Sequence, residues 1–236
     1  MPTRLAAWSS AWIGAVALLT GDNRWQTALL LNGLTGSDSW SNDWQFWFLE
    51  VLVWGYLGVA ALVALPWVEG WTRRNPFRVA AAVVVGCLVA RYALVGVEAG
   101  PVERYQALTV LWCLALGWAA ATADSLGRRV VVAATTVVAT FGFFGDVRRE
   151  TLVVVGILLL LVDRAVPVPR PLAAVVQAVA AASLWIYLTQ WQVYPGLEAE
   201  GHPYVAVLAA LVVGILAHRA YGRVVRRSAG RSPEPG

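Results

Sequence analysis

The stretch DWQFWFLEVLVWGYLGVAALVAL, residues 43–65, decides the fold. After Asp43 it holds one charged side chain, Glu50, in a run of aliphatic and aromatic residues that ends at Pro66. A helix needs roughly 20 predominantly apolar residues to cross about 30 Å of hydrocarbon, and this run has that length. Further apolar stretches lie near 5–20, 77–96, 105–123, 129–145, 150–163, 172–194 and 203–221. Together they predict about eight transmembrane helices of the length a bilayer demands. Composition agrees. The chain is 59% hydrophobic and 14% charged, whereas a soluble domain carries about 25% charged residues. Unpaired backbone amides in lipid cost several kcal/mol, so the spans must be helical and no strands are expected. The predicted fold class is all-α, a polytopic integral membrane helix bundle over residues 1–222. Residues 223–236 read as a basic, disordered cytoplasmic tail. No repeat and no soluble second domain is evident.

The first stretch reads as a retained span rather than a cleaved leader, because Trp8 and Trp12 interrupt the run and the small-residue cleavage pattern is poor. Segment 24–34, RWQTALLLNGL, is too short to span and is expected at the surface or as an extension of the first helix. Many Trp fall near predicted helix ends, among them Trp40, Trp44, Trp47, Trp67, Trp71 and Trp191. Amphipathic rings sit there at headgroup depth. Cys87 and Cys113 lie inside spans and read as packing residues, not as a disulfide or metal site.

Every basic residue among the 18 Lys and Arg positions is Arg. Arg4, Arg73, Arg74, Arg78, Arg128, Arg129, Arg164 and Arg170 fall at the N-terminus or in alternate connectors, and Arg219, Arg223, Arg226, Arg227 and Arg231 follow the last span. The opposite connectors hold Asp22, Asp38, Asp43, Glu98, Glu103, Glu198 and Glu200. The positive-inside rule places both termini in the cytoplasm, with the protein in the plasma membrane. Arg148 and Arg149 run against this rule, in a solvated turn with Asp146 and Glu150. The net charge of +4 reflects topology and contacts with membrane lipids. Nucleic acid is excluded as a partner, since no basic stripe with interleaved aromatics exists.

Charged groups inside a span mark function by default. Glu50 lies about two turns into the second span and Arg91 just over one turn from the outer end of the third, both about 7–11 Å below the outer boundary. Equal depth predicts a carboxylate–guanidinium contact within about 4 Å, or through one bridging residue. In SLWIYLTQWQVYP, residues 183–195, Ser183, Tyr187 and Gln190 share one helix face at i, i+4 and i+7. Such a face is expected to point into the bundle, either as an outward-facing polar cavity or as interhelical glue. His202 and His218 have no nucleophile or ligand set nearby and read as boundary residues. No metal motif, nucleophile elbow or phosphate loop is present. The prolines, Pro195 included, are expected at span ends or in loops, which speaks against the interrupted helices of a transporter.

Three segments resemble the membrane acyltransferase-3 family: FWFLE at 46–50, RYQALTVLWCLALGWAAA at 104–121 and SLWIYLTQWQVYP at 183–195. The last is similar to bacterial members whose late helix reads SLYIYLTHWQVYP. The resemblance runs from about 40 to 222. It implies transfer of an acyl group from cytoplasmic acyl-CoA, as donor substrate and not as bound cofactor, to a glycan or lipid acceptor. By motif, Trp47 and Glu50 match the segment with W, F and E, and Ser183, Tyr187, Leu188 and Trp191 match the late helix. The family's catalytic His lies on its first helix after a basic residue. The resemblance therefore implies that this chain lacks the N-terminal catalytic helices, and that a partner polypeptide supplies them. Gln190 stands where the late helix has His, and Gln cannot exchange a proton as imidazole does. No catalytic residue is assigned. Substrate contacts are expected from Trp47, Glu50, Arg91, Ser183, Tyr187, Gln190 and Trp191, with Arg91 and Gln190 as hydrogen-bond donors to a carbonyl or sugar oxygen. Arg73, Arg74, Arg128 and Arg129 are candidates for the phosphates of acyl-CoA. A non-catalytic membrane subunit, a scaffold or a small transporter stays open as the alternative.

Overall fold

The computed structural model describes Gly14 and residues 25–35, 41–162 and 167–229. Among them there are helices and turns and no strand, as the lipid argument requires. In chain order the helices are α1 (Trp25–Ala28), α2 (Asn32–Thr35), α3 (Trp47–Val63), α4 (Pro66–Arg74), α5 (Pro76–Val95), α6 (Ala107–Ala121), α7 (Leu126–Thr140), α8 (Val147–Leu161), α9 (Arg170–Ala199) and α10 (Pro203–Ala229). Short 3-10 turns, Asn42–Phe46 and Glu103–Tyr105, precede α3 and α6.

Local chemistry sets the helix ends. Pro66 and Pro76 sit in the first turns of α4 and α5, where a missing amide costs nothing. Asp146, expected in a solvated turn, caps α8, its carboxylate accepting from the amides of Arg148 at 2.7 Å and Arg149 at 3.2 Å. Gly96 ends α5 at φ 71°, a conformation that favours glycine.

Among the described residues, four helices are long and apolar enough to cross a membrane: Trp44–Val63, Pro76–Val95, Arg170–Ala199 and Pro203–Val225. The expected fourth, fifth and sixth spans form α6, α7 and α8 at 15 residues each. At 1.5 Å per residue such a helix is about 22 Å long, short of the hydrocarbon thickness. The expected first span lies outside the described residues apart from Gly14.

The chain divides into two compact units, Met1–Arg164 and Ala165–Gly236. In the first, α6 is the central helix, packing against α3, α5, α7 and α8. Its Val110, Trp112, Ala115, Leu116 and Ala119 join Val51, Ala80, Val84, Val132, Ala139, Phe143 and Leu161 in one core. Trp67 and Trp71 on α4 are exposed, as boundary rings should be. Trp44 departs from the belt expectation at 1% exposure, because the 3-10 turn leading into α3 buries both Trp44 and Phe46.

The second unit is the antiparallel hairpin of α9 and α10. Trp185 meets Tyr221 with ring centroids 5.3 Å apart. At Gly214 the helices approach so closely that an added Cβ would lie 2.5 Å from the Ile186 backbone. Pro195, expected at a span end, lies inside α9. It removes the amide that would bond the Trp191 carbonyl, and the helix still resumes to Ala199. α10 runs on to Ala229, so the first residues of the expected disordered tail are helical.

Candidate functional site

The intramembrane charges do not pair. Glu50, in the first turn of α3, is 2% exposed and accepts from two backbone amides, Asn32 N to Oε2 at 3.1 Å and Gly33 N to Oε1 at 2.7 Å. Its partners lie in segment 24–34, which was expected at the surface or as an extension of the first helix. Here the segment is two helical turns broken at Leu30, a bulky residue at φ 58°, a backbone conformation that L side chains rarely adopt. The Trp54 indole donates to the Leu30 carbonyl at 3.0 Å, and Thr27 Oγ1 donates to Asn32 Oδ1 at 3.2 Å. Thr27, Leu30 and Asn32 are buried. Gly33 has no room for a side chain, since a Cβ would lie 2.8 Å from Glu50 Oε1 and 3.4 Å from the Ala107 amide. Glu50 thus serves as an anchor that pins a broken helical segment onto α3.

Arg91 is fully buried near the C-terminal end of α5. Its Nη1 donates to the carbonyl of Ala139 and its Nη2 to that of Val97 at 2.9 Å. The Ala139 carbonyl lies in the last turn of α7, where unpaired carbonyls carry the negative end of the helix dipole. The guanidinium carbon lies 4.5 Å from the Tyr92 and Phe143 ring centroids and 5.4 Å from that of Trp112. Helix-end carbonyls and aromatic faces therefore stabilise this cation where a carboxylate was expected. Depth counting placed Glu50 and Arg91 level, but it is silent about which way each side chain turns around its helix axis.

A second guanidinium, which the sequence had not singled out, works beside the first. Arg104 donates through Nε to Gly100 O at 2.9 Å, through Nη2 to Ala99 O at 3.1 Å and through Nη1 to Phe144 O. Arg91 and Arg104 thus both tie the loop after α5 to the end of α7 and the turn that follows it. The signal was present: Arg104 opens the RYQALTVLW run, but its partners are carbonyls, which no side-chain pattern reports.

Trp47 is half-buried at the start of α3, its ring 5.2 Å from Tyr105 and 5.8 Å from Phe48. The other predicted site residues belong to the second unit. Ser183, Tyr187 and Gln190 do share a face of α9, but Ser183 is exposed and Tyr187, Gln190 and Trp191 are half-buried. The buried positions of this helix are Ala182, Leu188 and Thr189. The hairpin packs through Trp185, on the opposite side of α9 from the polar face, and through Ile186, which borders that face about 40° around the helix from Gln190.

Between α3, α5 and α6 lies an apolar cavity of about 510 Å³, lined by Trp54, Gly55, Val59, Val83, Leu111 and Trp118 among others. That volume falls within the range of small-molecule sites. At the basic connectors, Arg73 pairs with Glu69 at 2.6 Å, and Arg128 contacts both oxygens of Asp124 at 2.8 Å and lies 5.1 Å from the Phe77 ring. No cluster of His, Cys, Asp and Glu fit to hold a metal occurs among the described residues.

Long apolar helices, intramembrane charges held by backbone groups and an apolar cavity describe a helical membrane protein. The chain belongs to the acyltransferase-3 family, whose acyltransferase domain matches residues 4–218. No curated protein and no solved structure matches it. Family and helices together make it a membrane acyltransferase-like protein.

Proposed function

We propose that the protein takes part in moving an acyl group from acyl-CoA to a sugar or lipid acceptor in the plasma membrane, with both termini cytoplasmic and the general base supplied by a partner polypeptide. Family membership over residues 4–218 carries this reading. In acyl transfer an acceptor hydroxyl attacks the thioester carbonyl, so a base must take its proton and donors must meet the oxyanion. These 236 residues hold two His, His202 in the turn before α10 and His218 on α10. Glu50 spends both oxygens on backbone amides, and Arg91 spends two nitrogens on carbonyls. Gln190 can hold a hydrogen bond but cannot carry the proton. The apolar cavity of the first unit suits the acyl portion of a substrate. The Arg73–Glu69 pair is exposed, and such pairs contribute about 0–1 kcal/mol, so it can open toward a CoA phosphate at little cost.

A non-catalytic membrane subunit is the second reading. The engagement of Glu50 and Arg91 in holding backbone favours it. Pro195 is the single proline interrupting the interior of a helix among the described residues, whereas a transporter would carry interruptions at paired positions.

The test is the purified chain in liposomes with labelled acetyl-CoA and a mixed glycan and lipid acceptor pool. The expected result is measurable acyl-CoA binding with transfer at background, unchanged by Gln190→His. Robust transfer that depends on Glu50 would refute the partner-supplied base. Absence of acyl-CoA binding would favour the non-catalytic subunit.

A further inference from the structure

The hairpin of α9 and α10 is electrically lopsided. One end carries Glu198, Glu200 and His202. The other carries Arg170 at the start of α9 and Arg219 and Arg223 on α10, all three exposed. Helix register places Arg226 and Arg227 one turn further along α10. No carboxylate occurs on α9 before Glu198 or anywhere on α10. The positive charge at this end is therefore uncompensated within both helices of the unit. By register, Arg219 and Arg223 occupy one side of α10, at i and i+4. His218, Arg219, Gly222 and Arg223, on adjacent turns, border an open surface groove of about 300 Å³ on that helix.

Length sets the depth of this groove. At 1.5 Å per residue, Arg219 lies about 24 Å from Pro203, Arg223 about 30 Å and Arg226 about 35 Å. The hydrocarbon is about 30 Å thick and each headgroup layer adds roughly 5–7 Å. If α10 enters the hydrocarbon at Pro203, Arg219 snorkels from just inside the far boundary. Arg223 then lies at that boundary. A free phosphate in solution would not require the basic residues to be at this depth.

We propose that the last turns of α10 form a seat for the phosphate of an anionic membrane lipid, with Arg219 and Arg223 as its donors and Gly222 opening its floor. The proposal is independent of any acyl transfer. Basic residues near a helix C-terminus also complement the dipole. That effect does not call for a groove between two exposed arginines one turn apart.

The test uses the full chain in detergent, offered phosphatidylglycerol in a phosphatidylcholine background, with bound lipid counted by native mass spectrometry. Wild type should retain phosphatidylglycerol in preference. Each arginine near an anionic surface is worth roughly a fivefold change, so Arg219→Gln with Arg223→Gln should lower retention about 20–30-fold. Gly222→Leu keeps the charge and fills the floor, and should also lower retention, while helicity by circular dichroism stays unchanged. Arg148→Gln with Arg149→Gln removes the same charge at the start of α8 and should leave retention as in wild type. Equal retention of the two lipids, an equal loss in the α8 control, or no effect of Gly222→Leu would each overturn the seat. Displacement of phosphatidylglycerol by millimolar inorganic phosphate would show a site for free phosphate instead, and would overturn it too.

Discussion

Equal depth in the bilayer led to the expectation that Glu50 and Arg91 compensate each other, and the structure turns this into a sharp thermodynamic question. Take Glu50→Gln, Arg91→Met and the double variant. Glutamine keeps one acceptor but presents an amide NH₂ to a backbone N–H, so one of the two bonds to Asn32 and Gly33 is lost. A hydrogen bond to a charged group contributes about 1.5–3 kcal/mol in water-soluble proteins. Interhelical bonds within membranes average nearer 0.6 kcal/mol. A loss of about 1–2 kcal/mol is expected for Glu50→Gln. Arg91→Met removes two bonds to carbonyls and the aromatic contacts, offset by relief of a desolvated charge, for a net loss of about 2–4 kcal/mol. Because the two residues share no partner, their losses should add within about 0.5 kcal/mol. Reversible unfolding of the purified chain by dodecyl sulfate titration measures all three. A coupling above about 1 kcal/mol in which the double variant recovers stability would show that the pair interacts, and the anchoring account of both residues would fail.

Gly33→Ala should destabilise by about 1–3 kcal/mol in the same titration, because its Cβ meets Glu50 Oε1 and the Ala107 amide. Gly58→Ala, in α3 with nothing within 4 Å of the added Cβ, should instead stabilise by about 0.5–1 kcal/mol. Gly214→Ala should open the α9–α10 hairpin, since the Ile186 backbone cannot yield as a flexible side chain would. Engineered cysteines at Trp185 and Tyr221 would lose their cross-linking yield, and an unchanged yield would refute the close approach. Reporter fusions at Gly236 and Gly100 should land on opposite sides of the membrane, and the same side for both would break the topology drawn from the arginines.

Several features of this protein were legible in its residues alone. Long apolar runs in a chain with so few charges force helices, because lipid offers the backbone no hydrogen-bond partner. The runs 43–65, 77–96, 172–194 and 203–221 all became helices long enough to cross. The SLWIYLTQWQVYP segment and its companions pointed to the family that the match over 4–218 then showed. Only the tertiary structure decided what the polar residues touch. Residue counting along a helix gives depth, one coordinate of three, and on that coordinate Glu50 and Arg91 coincide. Their partners proved to be backbone groups: the amides of Asn32 and Gly33, and the carbonyls of Val97 and Ala139. Every residue but proline carries the same amide and carbonyl, so nothing in a sequence marks the ones left unpaired. They become unpaired where a helix breaks or ends, at Leu30 and in the last turn of α7. Those breaks and ends meet Glu50 and Arg91 only when the helices pack.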